Sequence, residues 1–361
     1  MLAVLVGATL AVVLSLVGTR LAIAWFVRHG YGQPIREDGP TTHHVKQGTP
    51  TMGGVVILAA AVVAFAAATL LTGRLPSASA WLFLLLFLGC GAIGFLDDFL
   101  KVYRQHNQGL SGPAKLVGQT GIAVGFGVLA TQLFADDRGV RPASLQLSAT
   151  RDFGWELPWF VVLAVIWFIV TATSNGANLT DGADGLLAGT SVMVFGAYAV
   201  INLWQNSHLC GSGAAAFSDE HCYVVRDPLD LAVLSAAIAT ACAGFLWWNA
   251  KPARIMMGDV GSLAIGGALA GLAIMSRTEL LMAVVAALFV METSSVLIQR
   301  YGFKLTRRLT GTGRRVFRIA PIHHHFEHLG WDEVTVVIRF WIIAGLGVLA
   351  GMGIFYADWL G

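Results

Sequence analysis

Apolar residues run almost without interruption through ten stretches of the chain, near positions 1–27, 52–73, 80–96, 116–134, 158–173, 186–204, 229–248, 260–275, 279–298 and 335–357. Each is close to the roughly 20 residues that an α-helix needs to cross the hydrocarbon of a bilayer. The pattern predicts an all-α, polytopic membrane protein of about ten spans. The first stretch has neither an early basic region nor a small-residue cleavage site before Arg20, so it reads as a retained helix and not a signal peptide. Nothing separates a second domain, and residues 1–361 read as one transmembrane unit.

The polar connections are of two kinds. One set of alternate loops carries fifteen Lys and Arg residues, among them Lys46, Lys101, Lys115, Lys251, Arg254 and the run from Arg300 to Arg318; the opposite set carries six. The excess of cations belongs on the cytoplasmic side, which sends both termini outward. Composition agrees: 56% hydrophobic and 12% charged residues, with a mean hydropathy of +0.70, exclude a water-soluble domain. The net charge of +2 is small, and its uneven placement suits anionic phosphates or lipid headgroups, with no need for nucleic acid. Cys90 and Cys242 fall inside apolar stretches and read as small buried hydrophobes. Cys210 and Cys222 share an outward loop, where an oxidising compartment permits a disulfide.

Gly, Asp, Asn, Lys and His gather in five clusters, all on the cation-rich side. Lys46 to Gly54 contains Thr-Pro-Thr-Met-Gly-Gly, which by itself is a helix-entry turn. Asp97 and Asp98 close the apolar run from Trp81. Ionisable groups so near hydrocarbon persist mainly where water, a cation or a partner compensates them. Adjacent helical positions point about 100° apart, so the two carboxylates should not reach one atom unless the helix ends there, and their roles should differ. Asn175, Asn178, Asp181 and Asp184 recur every third residue, a row that stacks on a three-residue turn and drifts around an α-helix. Its amides and carboxylates suit hydroxyls and a base edge, although Asn, Asp and Gly are also ordinary turn residues.

Asp259, in Met-Met-Gly-Asp-Val-Gly-Ser, precedes an apolar run, where a plain helix N-cap is the simplest role. Gly258 and Gly261 beside it suggest instead a phosphate approaching a helix start, with the carboxylate placed for Mg²⁺. Asn249, Lys251 and Arg254 stand just upstream. His323, His324 and His325 cannot all face one ligand in regular structure, and one or two should meet phosphate oxygens. The run His324-His-Phe-Glu-His328 also fits H-x-x-E-H, an inverted zinc-protease pattern, but that reading leaves the Asp clusters unexplained.

Taken in order, Lys46 to Gly54, Phe95-Leu-Asp-Asp-Phe-Leu-Lys101, Asn175 to Gly185, Met257-Gly-Asp-Val-Gly-Ser262 and Pro321-Ile-His-His-His-Phe-Glu327 closely resemble the MraY family. These are the phospho-N-acetylmuramoyl-pentapeptide transferases of bacterial cell-wall synthesis. The resemblance implies a ten-helix homodimer in the plasma membrane with a cytoplasmic cleft. It implies Mg²⁺-dependent transfer from UDP-N-acetylmuramoyl-pentapeptide to undecaprenyl phosphate, giving lipid I and UMP. By motif, Asp97 would act on the lipid phosphate, Asp98 would support the site and Asp259 would hold Mg²⁺. Lys46, Thr51, Lys101, Lys115, Asn178, Asp181, Asp184 and Asn249, with Asn175 in the same row, would position the nucleotide sugar. His323 would serve catalysis, and His324 and His325 would lie near the diphosphate. Where the family often has an aromatic residue, this chain has Met256. A sister enzyme that transfers an N-acetylhexosamine phosphate would use identical chemistry. A lipid flippase would instead place its charges at the midplane, in paired repeats.

Overall fold

The computed structural model describes residues 1–29, 48–104, 109–210 and 222–360, and these are almost entirely helical. Among them, nine helices are long and apolar enough to cross a membrane. They are α1 (Leu2–Arg28), α2 (Gly54–Leu71), α3 (Ala78–Arg104), α4 (Gly112–Gln132), α5 (Trp159–Thr180), α6 (Leu186–Ser207), α7 (Pro228–Asn249), α8 (Gly258–Met275) and α12 (Glu333–Leu360). The stretch expected to form a further span is broken at Ala286 into α9 (Glu279–Val285) and α10 (Ala287–Thr310), whose axes lie 87° apart. By length and composition the bent pair still passes as one span, and the polar set Glu292, Thr293, Ser294 and Ser295 falls in its second half. A short α11 (Ile322–His328) carries the histidines. No strand occurs among the described residues beyond isolated bridges such as Ser148 with Asp152.

α8 is the central post, buried continuously from Val260 to Met275. Its small residues let neighbouring backbones come close, the usual means of tight helix packing in lipid. A Cβ on Gly94 of α3 would collide with the Asp259 carbonyl, one on Gly54 of α2 with the Gly261 backbone, and one on Gly266 with Thr173 and Ser174 of α5. α2, α3 and α5 therefore meet α8 almost backbone to backbone, and Gly54, Asp97, Asn175 and Asp259, each from a different polar cluster, sit on those four helices.

α3 ends where α8 begins, so Asp97, Asp98 and Asp259 share one end of the bundle. The opposite end is tied down differently. Arg74 pairs with Asp230 at 3.1 Å, and buried Arg277 donates to the carbonyls of Arg141 and Pro142. The Cys210–Cys222 disulfide forms there, and Arg138 donates to the Cys210 carbonyl at 3.1 Å. Cys90 and Cys242 are buried free thiols, in line with their apolar surroundings.

Candidate active site

Asp97 and Asp98 do not mark a helix end. α3 continues to Arg104, and both carboxylates nevertheless reach one atom, Nζ of Lys101, at 2.6 and 3.6 Å. At about 100° per residue, position 101 falls at an azimuth between 97 and 98, and the long lysine stem spans the gap. The same ammonium lies 3.3 Å from Asp259 Oδ2. Lys115, from the first turn of α4, approaches Asp259 Oδ2 at 2.5 Å and Asp97 Oδ2 at 3.1 Å. Three carboxylates and two ammonium groups thus form one knot, with a formal balance of −1.

The remaining carboxylate oxygens are held by the backbone and by one amide. Leu110 N–H donates to Asp97 Oδ1 at 2.6 Å, Val260 N–H to Asp98 Oδ2 at 3.1 Å, and Asn178 Nδ2 to Asp259 Oδ1 at 3.0 Å. Such bonds to charged acceptors are the stronger kind and fix each group's direction. The Asp97 and Asp98 side chains are 0% and 2% exposed, whereas those of Asp259, Lys101 and Lys115 are 16%, 18% and 21% exposed. An arriving ligand therefore meets Asp259 and the lysines first, with Asp97 and Asp98 behind them.

Asp259 is not the N-cap of α8. Met257 holds that position, and Asp259 lies in the first turn with its side chain turned into the knot. Gly258 has φ +76°, a left-handed value that suits glycine, and a Cβ there would strike Asp98 Oδ2 and crowd Thr51. Gly261 faces Gly54 of α2, so its smallness serves helix packing and leaves no room for a phosphate. Thr51 is buried against this loop, and its hydroxyl has no hydrogen-bond partner among the described residues. Lys46 lies outside the described residues.

The every-third-residue row divides, because α5 keeps its 3.6-residue turn through Thr180 and the chain then changes direction. Asn178 joins the knot and also donates to Ser262 Oγ at 2.9 Å. Asn175 faces α4, donating to Gln119 Oε1 at 3.1 Å and to the Thr171 carbonyl. Asp184 accepts from Ala253 N–H at 3.1 Å, and its own N–H donates to Glu333. Asn249 spends both ends of its amide on backbone, accepting from Gly185 N–H at 3.2 Å and donating to the Ile255 carbonyl at 2.9 Å. Asn175, Asp184 and Asn249 thus shape the walls, while Asn178 reaches the acids.

Desolvation and the like charges of Asp259 and Asp98 push the Asp181 carboxyl well above the ordinary carboxylate range; the Gly258 N–H pulls it the other way. A carboxyl raised in the folded state costs stability at every pH above its unfolded value, about 3.9. Asp181→Asn in EDTA should therefore raise the melting temperature near pH ~7.5, and the gain should shrink to a small remainder near pH ~4, where the carboxyl is protonated in the folded state and about half so in the unfolded chain. Melting curves of both proteins across that range check it; a variant less stable at neutral pH would show that Asp181 is held by an attraction instead.

The three histidines diverge, as their spacing requires. His323 is fully buried; Nδ1 lies 3.0 Å from Glu292 Oε2 of α10, Nε2 points at Gly182, and neither ring nitrogen has a hydrogen-bond partner among the described residues. A Cβ at Gly182 would collide with that Nε2 and crowd His324, so the Asp-Gly of the turn makes room for two imidazoles. His324 pairs with Glu327 at 2.8 Å. His325 turns away, accepting from Arg318 N–H at 3.1 Å and packing edge-on against Phe317. Glu292 is the residue that motif reading passed over. Its signal was present, a carboxylate in the interior of the apolar run 279–298, whose other acid, Glu279, stands at its start.

Asp97, Asp98 and Asp259 each offer an oxygen within 4.8 Å of the others, the one group of potential metal ligands among the described residues. The donor set is hard oxygen only, which fits Mg²⁺ and does not fit zinc. His324 and Glu327 of the H-x-x-E-H run are paired with each other, and no such metal-ligand group among the described residues includes them.

Known proteins are similar to this chain over nearly its whole length. The family model described as glycosyl transferase family 4 matches residues 80–277, and signature 1 of phospho-N-acetylmuramoyl-pentapeptide-transferase matches residues 46–58. A phospho-N-acetylmuramoyl-pentapeptide-transferase of Nocardioides sp. is 60% identical over 362 residues, covering 100% of this chain and 99% of the relative. Proteins of the same name from Pseudarthrobacter chlorophenolicus and Cutibacterium acnes are each 53% identical, over 100% and 99% of this chain and 99% and 98% of their own lengths.

Proposed function

The chain belongs to the phospho-N-acetylmuramoyl-pentapeptide-transferase family, and from that membership and the site we propose how it works. It is a multi-pass membrane transferase that moves phospho-N-acetylmuramoyl-pentapeptide from its UDP carrier to undecaprenyl phosphate, forming lipid I and UMP. The observation that carries the mechanistic reading is the knot of Asp97, Asp98 and Asp259 with Lys101 and Lys115 at one end of the bundle.

A lipid phosphate oxygen attacks the sugar-linked phosphorus of the nucleotide; the bond to the α-phosphate breaks, and UMP leaves with the bridging oxygen. Asp259, with Asp97 and Asp98 behind it, would hold Mg²⁺, which supplies charge neutralisation at the diphosphate. Lys101 and Lys115 exchange carboxylate partners for phosphate oxygens and balance the charge gathering on the transferring group, the main source of catalysis in such reactions. Asp97, the deepest acid, directs the lipid phosphate, and Asn178 and Leu110 N–H keep the acids aimed. Thr51, Asp181 and His324 line the route for the nucleotide sugar, and His323 stands behind the Gly182 turn. The cation excess at this end supports a cytoplasmic site with both termini outside, and the family supports a homodimer.

Two donors separate this reading from the sister chemistry. Purified protein incubated with undecaprenyl phosphate and UDP-N-acetylmuramoyl-pentapeptide should release UMP in detergent with no membrane gradient, and EDTA should stop it. UMP release from UDP-N-acetylglucosamine alone would assign the enzyme to the hexosamine branch; failure with both donors would overturn the transferase reading.

A further inference from the structure

Between Glu292 and Glu327 the sequence has seven Lys and Arg residues and no acid. Among the described residues, none of the seven forms an ion pair with a carboxylate. Four lie on α10, which is about 36 Å long at 1.5 Å per residue and lies 87° from α9. Glu292 holds His323, so α10 is already level with the site at its second turn, and its later turns extend past it.

The faces of α10 sort by charge. At about 100° per residue, Leu297, Ile298, Tyr301, Leu305 and Leu309 fall within an arc of about 120°, with Arg308 inside the end of that arc nearest the other cations. These five are exposed, from 47% for Leu297 to 74% for Leu309. Arg300, Lys304 and Arg307 occupy the adjoining arc of about 60°. The far side is covered by the chain's own return: Gln299 accepts from Val316 and Phe317 N–H and donates to the Phe317 carbonyl, and Thr306 accepts from Arg314 N–H. The uncovered surface is thus an apolar stripe with a cationic row along one edge. A spanning helix is apolar all round, whereas this division is that of a helix lying in the membrane interface.

We propose that α10 beyond Glu292 lies in the plane of the membrane, its apolar stripe among the upper acyl chains and Arg300, Lys304 and Arg307 bound to anionic phospholipid headgroups. The row of uncompensated cations selects that partner over zwitterionic lipid, and long Arg and Lys stems reach from an apolar bed to a headgroup. Because α10 also carries Glu292, the same anchor holds the His323 end of the site against the bilayer.

The test uses the full-length protein in nanodiscs, with spin-labelled phosphatidylglycerol and phosphatidylcholine as probes of relative association. Wild type should prefer phosphatidylglycerol, each cation contributing on the order of fivefold. The triple change Arg300→Gln, Lys304→Gln, Arg307→Gln should bring the ratio towards one, and high salt should act in the same direction. A fluorophore on Leu305→Cys gives an independent reading that does not depend on the triple variant folding. It should be quenched by bromine on lipid acyl chains and shielded from aqueous iodide. Equal association of both phospholipids, quenching by iodide, or selectivity confined to undecaprenyl phosphate would each overturn the proposal, while leaving the transferase assay untouched.

Discussion

Asp259→Asn should reduce UMP release by at least about 10²- to 10³-fold, the loss typical when one electrostatic group aimed at developing charge is removed. The protein should still fold. Asn keeps the shape of the side chain and can still accept from Lys115 or Asn178, while Asp97 and Asp98 remain to balance Lys101 and Lys115. What disappears is the one carboxylate of the three that is open to an incoming ligand and that both lysines address. The comparison is initial UMP release, with melting temperature as the control for folding. Mg²⁺-dependent turnover near the wild-type rate would remove Asp259 from the assigned role.

Glu292→Gln should lower kcat on the order of 10²-fold with a much smaller change in KM. Its carboxylate faces His323 Nδ1 at 3.0 Å and accepts from Ile322 N–H at 3.1 Å, so it fixes both the ring and the start of α11. The carboxylate stands beside Nδ1 while Nε2 faces the Gly182 turn, so changing it to an amide alters the contact that orients the ring. Gln is the informative choice because deleting the side chain would leave buried polar groups without a partner, at about 1–3 kcal/mol. That is a large share of a total stability of about 5–15 kcal/mol, so an Ala variant would confound folding with function. Activity should return with Glu292→Asp only if the shorter acid still reaches the ring. A variant with unchanged kcat and only a lower melting temperature would make Glu292 purely structural.

The membrane architecture was legible because hydrocarbon permits so few solutions: nine of the ten apolar stretches became continuous helices. The exception, 279–298, is bent at Ala286, and the pair still counts by length and composition as the tenth span. Motif position identified Asp97, Asp98, Asp259, Lys101, Lys115 and Asn178, and all six meet. Local geometry was harder to read. A 100° separation argued that Asp97 and Asp98 could not share a partner, but side-chain reach from position 101 answers to neighbouring azimuths, not to the angle between the two acids. Likewise the row 175, 178, 181 and 184 has a sequence period of three, but the backbone obeyed the helix until Thr180 and then the turn, so only Asn178 reached the acids. The pairing of Glu292 with His323 joins distant positions on two different helices, and no local pattern encodes it.

The seam along α8 ties catalysis to the smallest residues in the chain. Gly94 rests on the carbonyl of Asp259 and Gly54 on the backbone of Gly261, so no layer of side chains stands between these helices to absorb a change. A methyl group inserted there pries the posts apart, and the acids ride on the posts. Spacing within the reaction centre is consequently set from behind, by residues with no functional group at all, and damage at those positions would look in an assay like damage to the acids themselves.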